Sequence, residues 1–438
     1  MIKKNKMLNG NWALTGARIY DPFKKKYLKG DILLKDGKFD SITDKKIPEK
    51  INRIDCNGKI ITHAFTDIHV HLREPGREDK ETIETGCLSA MAGGFTTICS
   101  MPNTDPPIDS PESIRFVKDK SNHLPVNVLP IGAITKGQEG KELAEIGQMV
   151  NEGAVAISDD GIPLKDSRLM RFALEYSKMF DIPVINHAED VFFKENTIMN
   201  EGKSSTVLGL TGNPDISESI MVSRDLLIAD YVDGRIHIPH VSSKKSLEII
   251  KKYKKKGIRV TAETTPHHIF FNDSSLLSYN SNLKVAPPIK GESDRIALIK
   301  GIKDGTIDCI ASDHAPHTLE DKEHDICHAE CGMIGLETSF SASYTALSRK
   351  GLGIEEIIPL FVNGPMDIIN RSNTFLTKGE SVELVVISEK EKWTVGENDI
   401  FSKSSNSAFL GEELVSRIEL TISDNNCFGF IDNIIEKK

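Results

Sequence analysis

Between about residues 61 and 317 the chain repeats one unit eight times: a short apolar, β-branched run followed by a helical pattern. The runs are IITHAFTDIHVH, GFTTICSMP, VNVLPIGAIT, GAVAISDDG, IPVINHAED, RIHIPHVSS, IRVTAETTPHH and IDCIASDHAPH. Amphipathic stretches such as SRLMRFALEYSKMF and KKSLEIIKKYKKKG separate them. Short buried strands alternating with helices predict a parallel sheet. Eight units over about 250 residues match the size of a closed (β/α)8 TIM-like barrel, an α/β fold.

The polar residues fall at one end of these runs. Nearly every run closes on His, Asp, Asn or Thr at its C-terminal side. A barrel carries its active site on that face, built from strand ends and the loops after them. Eight strands therefore bring His69, His71, Asn103, Asp160, His187, His240 and Asp313 to one rim, far apart though they are in sequence.

The first run sharpens the chemistry. In DIHVHLREPG, strand alternation turns His69, His71 and Arg73 to one face and Ile68, Val70 and Leu72 to the other. Two imidazoles that close make half of a metal site. With Asp160, His187, His240 and Asp313 they form a candidate two-metal site, whose nitrogen and carboxylate donors suit zinc and also manganese or cobalt. His69 and His71 are assigned to one metal, His187 and His240 to the other, and Asp160 to the bridge between them. A water shared by the pair would be acidified toward hydroxide, and Asp313 could ligate one metal and carry the proton to the leaving group.

The flanks differ. Residues 10–60 and about 378–436 are rich in short strands and turn signals, with no long helix. Both lie outside the barrel, which predicts one small β-sandwich domain made from residues 1–60 plus 375–438, around a barrel spanning 61–374. At 438 residues, 39% hydrophobic and 27% charged, the chain suits one large domain plus a smaller one. Its net charge of −9 and lack of a basic block argue against nucleic acid. No apolar run reaches membrane-spanning length, and seven irregularly spaced cysteines read as reduced thiols. The expected location is cytoplasmic.

DIHVHLREPG, GFTTICSMPNTDPP, ISDDG, INHAED, HVSS, ETTPHH and ASDHAPH together resemble the motif series of class I dihydroorotases in the amidohydrolase superfamily. The resemblance runs from roughly residue 10 to 430. It implies the same six metal positions, selects Asp160 over Asp159 in ISDDG, and implies two zinc ions per chain. It implies that Arg73 and Asn103 grip a substrate carboxylate, with His317 helping, and that backbone groups near Cys331 and Gly332 touch the pyrimidine ring. A guanidinium suits that task because it holds a carboxylate with two parallel hydrogen bonds. The implied reaction is the reversible closure of N-carbamoyl-L-aspartate to L-dihydroorotate in pyrimidine biosynthesis. The implied assembly is a homo-oligomer, with aspartate transcarbamoylase as a candidate partner.

Two further readings accompany the first. Allantoinase- and hydantoinase-like relatives usually carry a lysine at the end of strand four, where GAVAISDDG offers Asp160. In APPIK, Ala286 stands where many class I members have an asparagine, and an alanine donates no side-chain hydrogen bond. A non-catalytic scaffold for aspartate transcarbamoylase would lack metal ligands, whereas all six are present here. In HTLEDKEHDICHAECG, the spacing of His324, Cys327, His328 and Cys331 suggests a further zinc site, set against a polar lid over the active site. His63 is read as structural, and GESVELVVIS and SSNSAFLGEEL are assigned no chemistry.

Overall fold

The computed structural model describes residues 4–371, 374–429 and 434–435. The outermost positions of the expected terminal domain, 1–3, 430–433 and 436–438, lie outside the described residues, as do 372–373 beside its inner boundary.

Eight parallel strands form the barrel: β1 (Phe65–Val70), β2 (Phe95–Ser100), β3 (Asn127–Pro130), β4 (Ile157–Ser158), β5 (Val184–Ile185), β6 (Ile236–Ile238), β7 (Val260–Thr264) and β8 (Cys309–Ile310). Strands β1–β3 pair in one sheet and β4–β8 in another. Bridges Gly132 to Ile157 and Val70 to His314, both parallel, join the two arcs into a ring. Every residue of β1 and β2 is buried, as expected of strands with side chains inside on one face and helices on the other.

The turns into the helices carry their own signals. Thr82, Ser110, Asp166 and Ser243 each accept a backbone N–H at a helix start, satisfying donors that the first turn leaves unpaired. KKYKKKG closes the helix Lys244–Lys255, where three lysines in the last turn complement the negative helix end.

The run IITHAFTDIHVH divides into two strands. Ile60–His63 pairs antiparallel with Glu383–Thr394 outside the barrel, and only Phe65–Val70 enters it. The outer sheet runs in the order 4–7, 426–429, 413–423, 383–394, 60–63, 18–21 and 26–28. A second sheet holds 434–435, 52–55, 11–15, 31–35 and 38–43. Trp12, Ile32 and Ile54 from one sheet and Ile61, Leu384 and Leu420 from the other share one buried core, so the two chain ends build a β sandwich. His63 sits there, bonded to the Ala64 carbonyl and edge-on to Phe23, away from the barrel mouth.

Candidate active site

The strand ends meet at the C-terminal mouth. His69 is the penultimate residue of β1, Asp160 follows β4, His187 follows β5, His240 follows β6 and Asp313 follows β8. Two groups of ligand atoms form there, each within 4.8 Å: His69, His71 and Asp160, and Asp160, His187 and His240. Asp160 is common to both. Its Oδ2 lies 3.4 Å from His69 Nε2 and 3.5 Å from His71 Nε2, and its Oδ1 lies 3.3 Å from His240 Nε2 and 3.5 Å from His187 Nδ1. Asp313 Oδ1 closes the set, 3.2 Å from His71 Nε2 and 3.6 Å from His69 Nε2. The neighbouring Asp159 turns away and accepts from the backbone of Ile134 and Thr135.

Electrostatics favour charged carboxylates here. Burial works against ionising Asp160, but His69, His187 and His240 outweigh it and hold the group well below the usual carboxylate range. Burial is likewise overcome at Asp313, chiefly by His71 and His69. His69 Nε2 is buried and has no hydrogen-bond partner, although a buried ring nitrogen normally has one. A buried imidazole nitrogen facing two carboxylates, among nitrogen and oxygen donors only, fits a divalent cation, which would take the place of its proton.

The ligand-type histidines are aimed by groups behind them. His69 Nδ1 bonds Glu263 Oε1 at 2.7 Å, His71 Nδ1 bonds Asn103 Oδ1 at 2.7 Å, and His187 Nε2 bonds Glu189 Oε2 at 2.8 Å. Asn103, expected on a substrate carboxylate, thus spends its oxygen on His71 and keeps its amide nitrogen. Glu263 and Glu189 were not singled out from sequence. The signal for Glu263 was a carboxylate inside the apolar run IRVTAETTPHH. His267 was also missed: it is buried, its Nε2 is unpartnered, and burial brings it down to about 4.

Above these groups lies a cavity of about 200 Å³ whose lining includes Arg73, Asn103, Lys194, Ala286, His317 and Cys331. Arg73 reaches it by a route other than strand alternation. Glu74 N donates to Leu72 O at 2.7 Å, closing a three-residue turn with Arg73 at its centre and φ +61°. The chain has left the strand there. Arg73 Nε donates to Pro316 O at 3.1 Å, and burial lowers the guanidinium to about 10, still charged near neutrality.

His317 Nε2 lies 2.9 Å from Cys331 O, and its Nδ1 lies 3.1 Å from Lys80 Nζ. The lysine donates to Nδ1, which leaves the ring proton on Nε2 for the Cys331 carbonyl. Burial, with Arg73, Lys80 and Lys322 around it, lowers His317 to about 2 and keeps it neutral. Gly332 also lines the cavity, but its N–H donates to Lys284 O and its carbonyl accepts from Lys322 Nζ. At φ +135°, an added Cβ would sit 2.8 Å from Ala315 Cβ and 3.0 Å from His317 Nε2, so only glycine fits.

The loop after β8 does not gather its His and Cys side chains. Cys327 is exposed and His328 pairs with Asp325, and among the described residues no metal-ligating group forms there. Buried lysines pin the loop instead: Lys284 Nζ donates to Cys327 O and Ala329 O, and Lys322 Nζ to Glu330 O and Gly332 O. SSNSAFLGEEL also takes part, because Asn406 holds the backbone of Ala315, His317 and Gly332.

The chain is 46% identical over 413 residues to a dihydroorotase of Caldicellulosiruptor saccharolyticus, a match covering 93% of this chain and 96% of that protein. The chain belongs to the dihydroorotase family. A dihydroorotase of Endomicrobium trichonymphae is 42% identical over 413 residues, covering 93% and 97%. The profile of the family described as Dihydro-orotase-like matches residues 58–246, which hold five of the six ligand-type positions. The L-hydantoinase of Arthrobacter aurescens superposes with a TM-score of 0.84 over 98% of both chains at 23% identity, a likeness of fold. The dihydroorotase relatives give the family, and the L-hydantoinase likeness gives the fold.

Proposed function

We infer that the chain is a hydrolase acting on cyclic amides, a dihydroorotase that interconverts N-carbamoyl-L-aspartate and L-dihydroorotate in pyrimidine biosynthesis. The observation that carries this reading is that Arg73 and Asp313 line one cavity together with His71, His187 and Asp160. His69 and His71 would hold one divalent ion, His187 and His240 a second, Asp160 both, and Asp313 would complete the first; the donor set favours zinc. Such ions, when bound, polarise a carbonyl and acidify water.

The chain's own residues do the rest. Arg73, charged and half-buried, takes the substrate carboxylate, and the Asn103 amide nitrogen lies on the same side. His317, neutral, keeps the Cys331 loop against the cavity and stands 3.4 Å from Arg73. Asp313 Oδ1, held as a carboxylate, accepts a proton during attack on the ring carbonyl and returns it to the departing ring nitrogen. In synthesis the same atoms work in reverse as water leaves. The barrel is the catalytic unit in this proposal, and the sandwich of the two chain ends supports its loops.

A homo-oligomer belongs to the same proposal. Exposed Ile220, Leu227 and Tyr231 on the helix Ile216–Val232, with Phe172 on the helix beside it, support self-association. Partnership with aspartate transcarbamoylase is checked by co-purification. No described helix is long and apolar enough to cross a membrane, and all seven cysteines are free, which supports a cytoplasmic location.

The deciding experiment is an assay of metal-reconstituted protein on dihydroorotate, allantoin and hydantoin, with Asp313→Asn as control. Turnover of dihydroorotate alone, lost in the variant, is expected. Turnover of another ring would reassign the substrate, and no turnover with metal bound would favour a scaffold or a required partner.

A further inference from the structure

The cavity has side-chain donors on two opposite walls. Arg73 follows β1 and the Asn103 amide nitrogen follows the adjacent strand β2, while His317, which spends its ring proton on the Cys331 carbonyl, follows β8 on their other side. All three therefore occupy one side of the mouth. Lys194, in the short helix Val191–Lys194 after β5, stands four strands away around a ring of eight, which is the far side. Its wall is otherwise poor in donors: Ala286 offers none from its side chain, and a thiol such as that of Cys331 donates weakly.

The amine of Lys194 is held rather than free. Nζ lies 3.1 Å from Glu189 Oε2 and 3.3 Å from His187 Nε2. The His187 Nε2 proton already goes to Glu189, so that nitrogen is not an acceptor for the lysine. Of three ammonium donors, one goes to Glu189, and the residue itself lines the cavity. Lys194, Ala286 and Cys331 also line a second void of about 20 Å³.

A ureide substrate has three polar ends. Its reacting carbonyl belongs over the ligand-type histidines, and its carboxylate belongs with Arg73. The carbonyl oxygen between the two nitrogens then leaves the ring in a third direction, away from both Arg73 and the reacting carbonyl. We propose that Lys194 donates a hydrogen bond to this ureido oxygen, in both the open and the ring-closed substrate, and so selects ureides among dicarboxylates and cyclic amides. This rests on the functional reading above. Glu189 then has two tasks: it fixes the tautomer of His187 and it anchors the ammonium at the cavity edge.

The test compares binding of N-carbamoyl-L-aspartate and succinate by calorimetry to metal-loaded wild type and Lys194→Met, alongside kinetics on dihydroorotate and metal content per chain. Succinate keeps both carboxylates and lacks the ureido group. The expected result is a loss of roughly tenfold or more in affinity for N-carbamoyl-L-aspartate, with succinate affinity and metal content unchanged, and a similar rise in KM. Lys194→Arg should recover part of the loss. Lys194→Gln, which keeps a neutral donor, serves the same comparison where Lys194→Met does not fold. Equal losses for both ligands, or a fall in metal content, would make Lys194 a positioning residue for His187 and overturn the proposal. Unchanged affinities in an active enzyme would overturn it too, while leaving the dihydroorotase reading intact. A wild type that does not turn over dihydroorotate would remove both.

Discussion

His69 Nδ1 lies 2.7 Å from Glu263 Oε1, and this one bond decides which nitrogen of His69 faces the cavity. With a metal on Nε2 the ring would keep its proton on Nδ1, and Nε2 itself lies 3.4 Å from Asp160 Oδ2 and 3.6 Å from Asp313 Oδ1. The carboxylate serves a second strand as well, since its Oε2 bonds His237 Nε2 at 3.1 Å. Burial alone would raise the Glu263 carboxyl, yet His69 and His237 bring it down to about 2. Its charge is therefore built into the floor of the site, and a ligand-type imidazole backed by a carboxylate is both oriented and made more basic.

Glu263→Gln should weaken metal binding by roughly 10–100-fold while leaving the barrel folded. Competition with a chelating dye reads the affinity, and circular dichroism reads the fold. Equal affinity in the two proteins would show that the aim of His69 does not depend on this carboxylate.

Asp313→Asn should retain most bound metal, because five other donors remain, but lower kcat by roughly 10²–10⁴-fold. The amide cannot take up the proton that the carboxylate accepts. Dihydroorotate hydrolysis, followed beside metal analysis of the same samples, separates lost proton transfer from lost metal. A variant with near wild-type kcat would assign that proton to another group.

Lys322 gives a stability signature with a definite sign. Burial, with help from Lys284, lowers its amine from 10.5 to about 8 while the amine donates to Glu330 O and Gly332 O. Below about pH 8 the folded chain bears the full cost of a buried charge. Between about 8 and 10.5 it gives up the proton while the unfolded chain keeps it, so stability from this group rises with pH. Wild type should therefore gain Tm relative to Lys322→Met between pH 7 and 9.5. A Tm difference constant across that range would show an amine in contact with water.

The barrel was legible because its two periods, apolar runs and amphipathic helices, are local properties of the chain. The ligand-type residues were legible because strand ends bring them to one rim wherever they lie in sequence. Other features depend on contacts that no local pattern encodes. Arg73 was expected on the strand face, but a three-residue turn at Leu72–Glu74 places it. The bond of Asn103 Oδ1 to His71 depends on an imidazole that only the folded ring brings near. The spacing of Cys327 and Cys331 suggested zinc, whereas buried lysines from distant positions hold that loop by its carbonyls.

Asn406 is the extreme of this class, 89 residues from the backbone it holds and in a segment with no motif. Its Oδ1 accepts from His317 N at 3.1 Å, and its Nδ2 donates to Ala315 O at 3.1 Å and Gly332 O at 3.2 Å. Those groups belong to the two strands of chain that carry His317 and Cys331 to the cavity, and all are buried. Asn406→Ala leaves His317 N without this acceptor and two carbonyls without this donor, at a cost of about 1–3 kcal/mol in stability. The loop should also lose its register against Arg73, so KM for dihydroorotate should rise while metal content stays the same. Denaturant unfolding gives the first quantity and steady-state kinetics the second. A destabilised variant with unchanged KM would confine Asn406 to holding the fold, and would show that the Cys331 loop finds its place over the cavity without it.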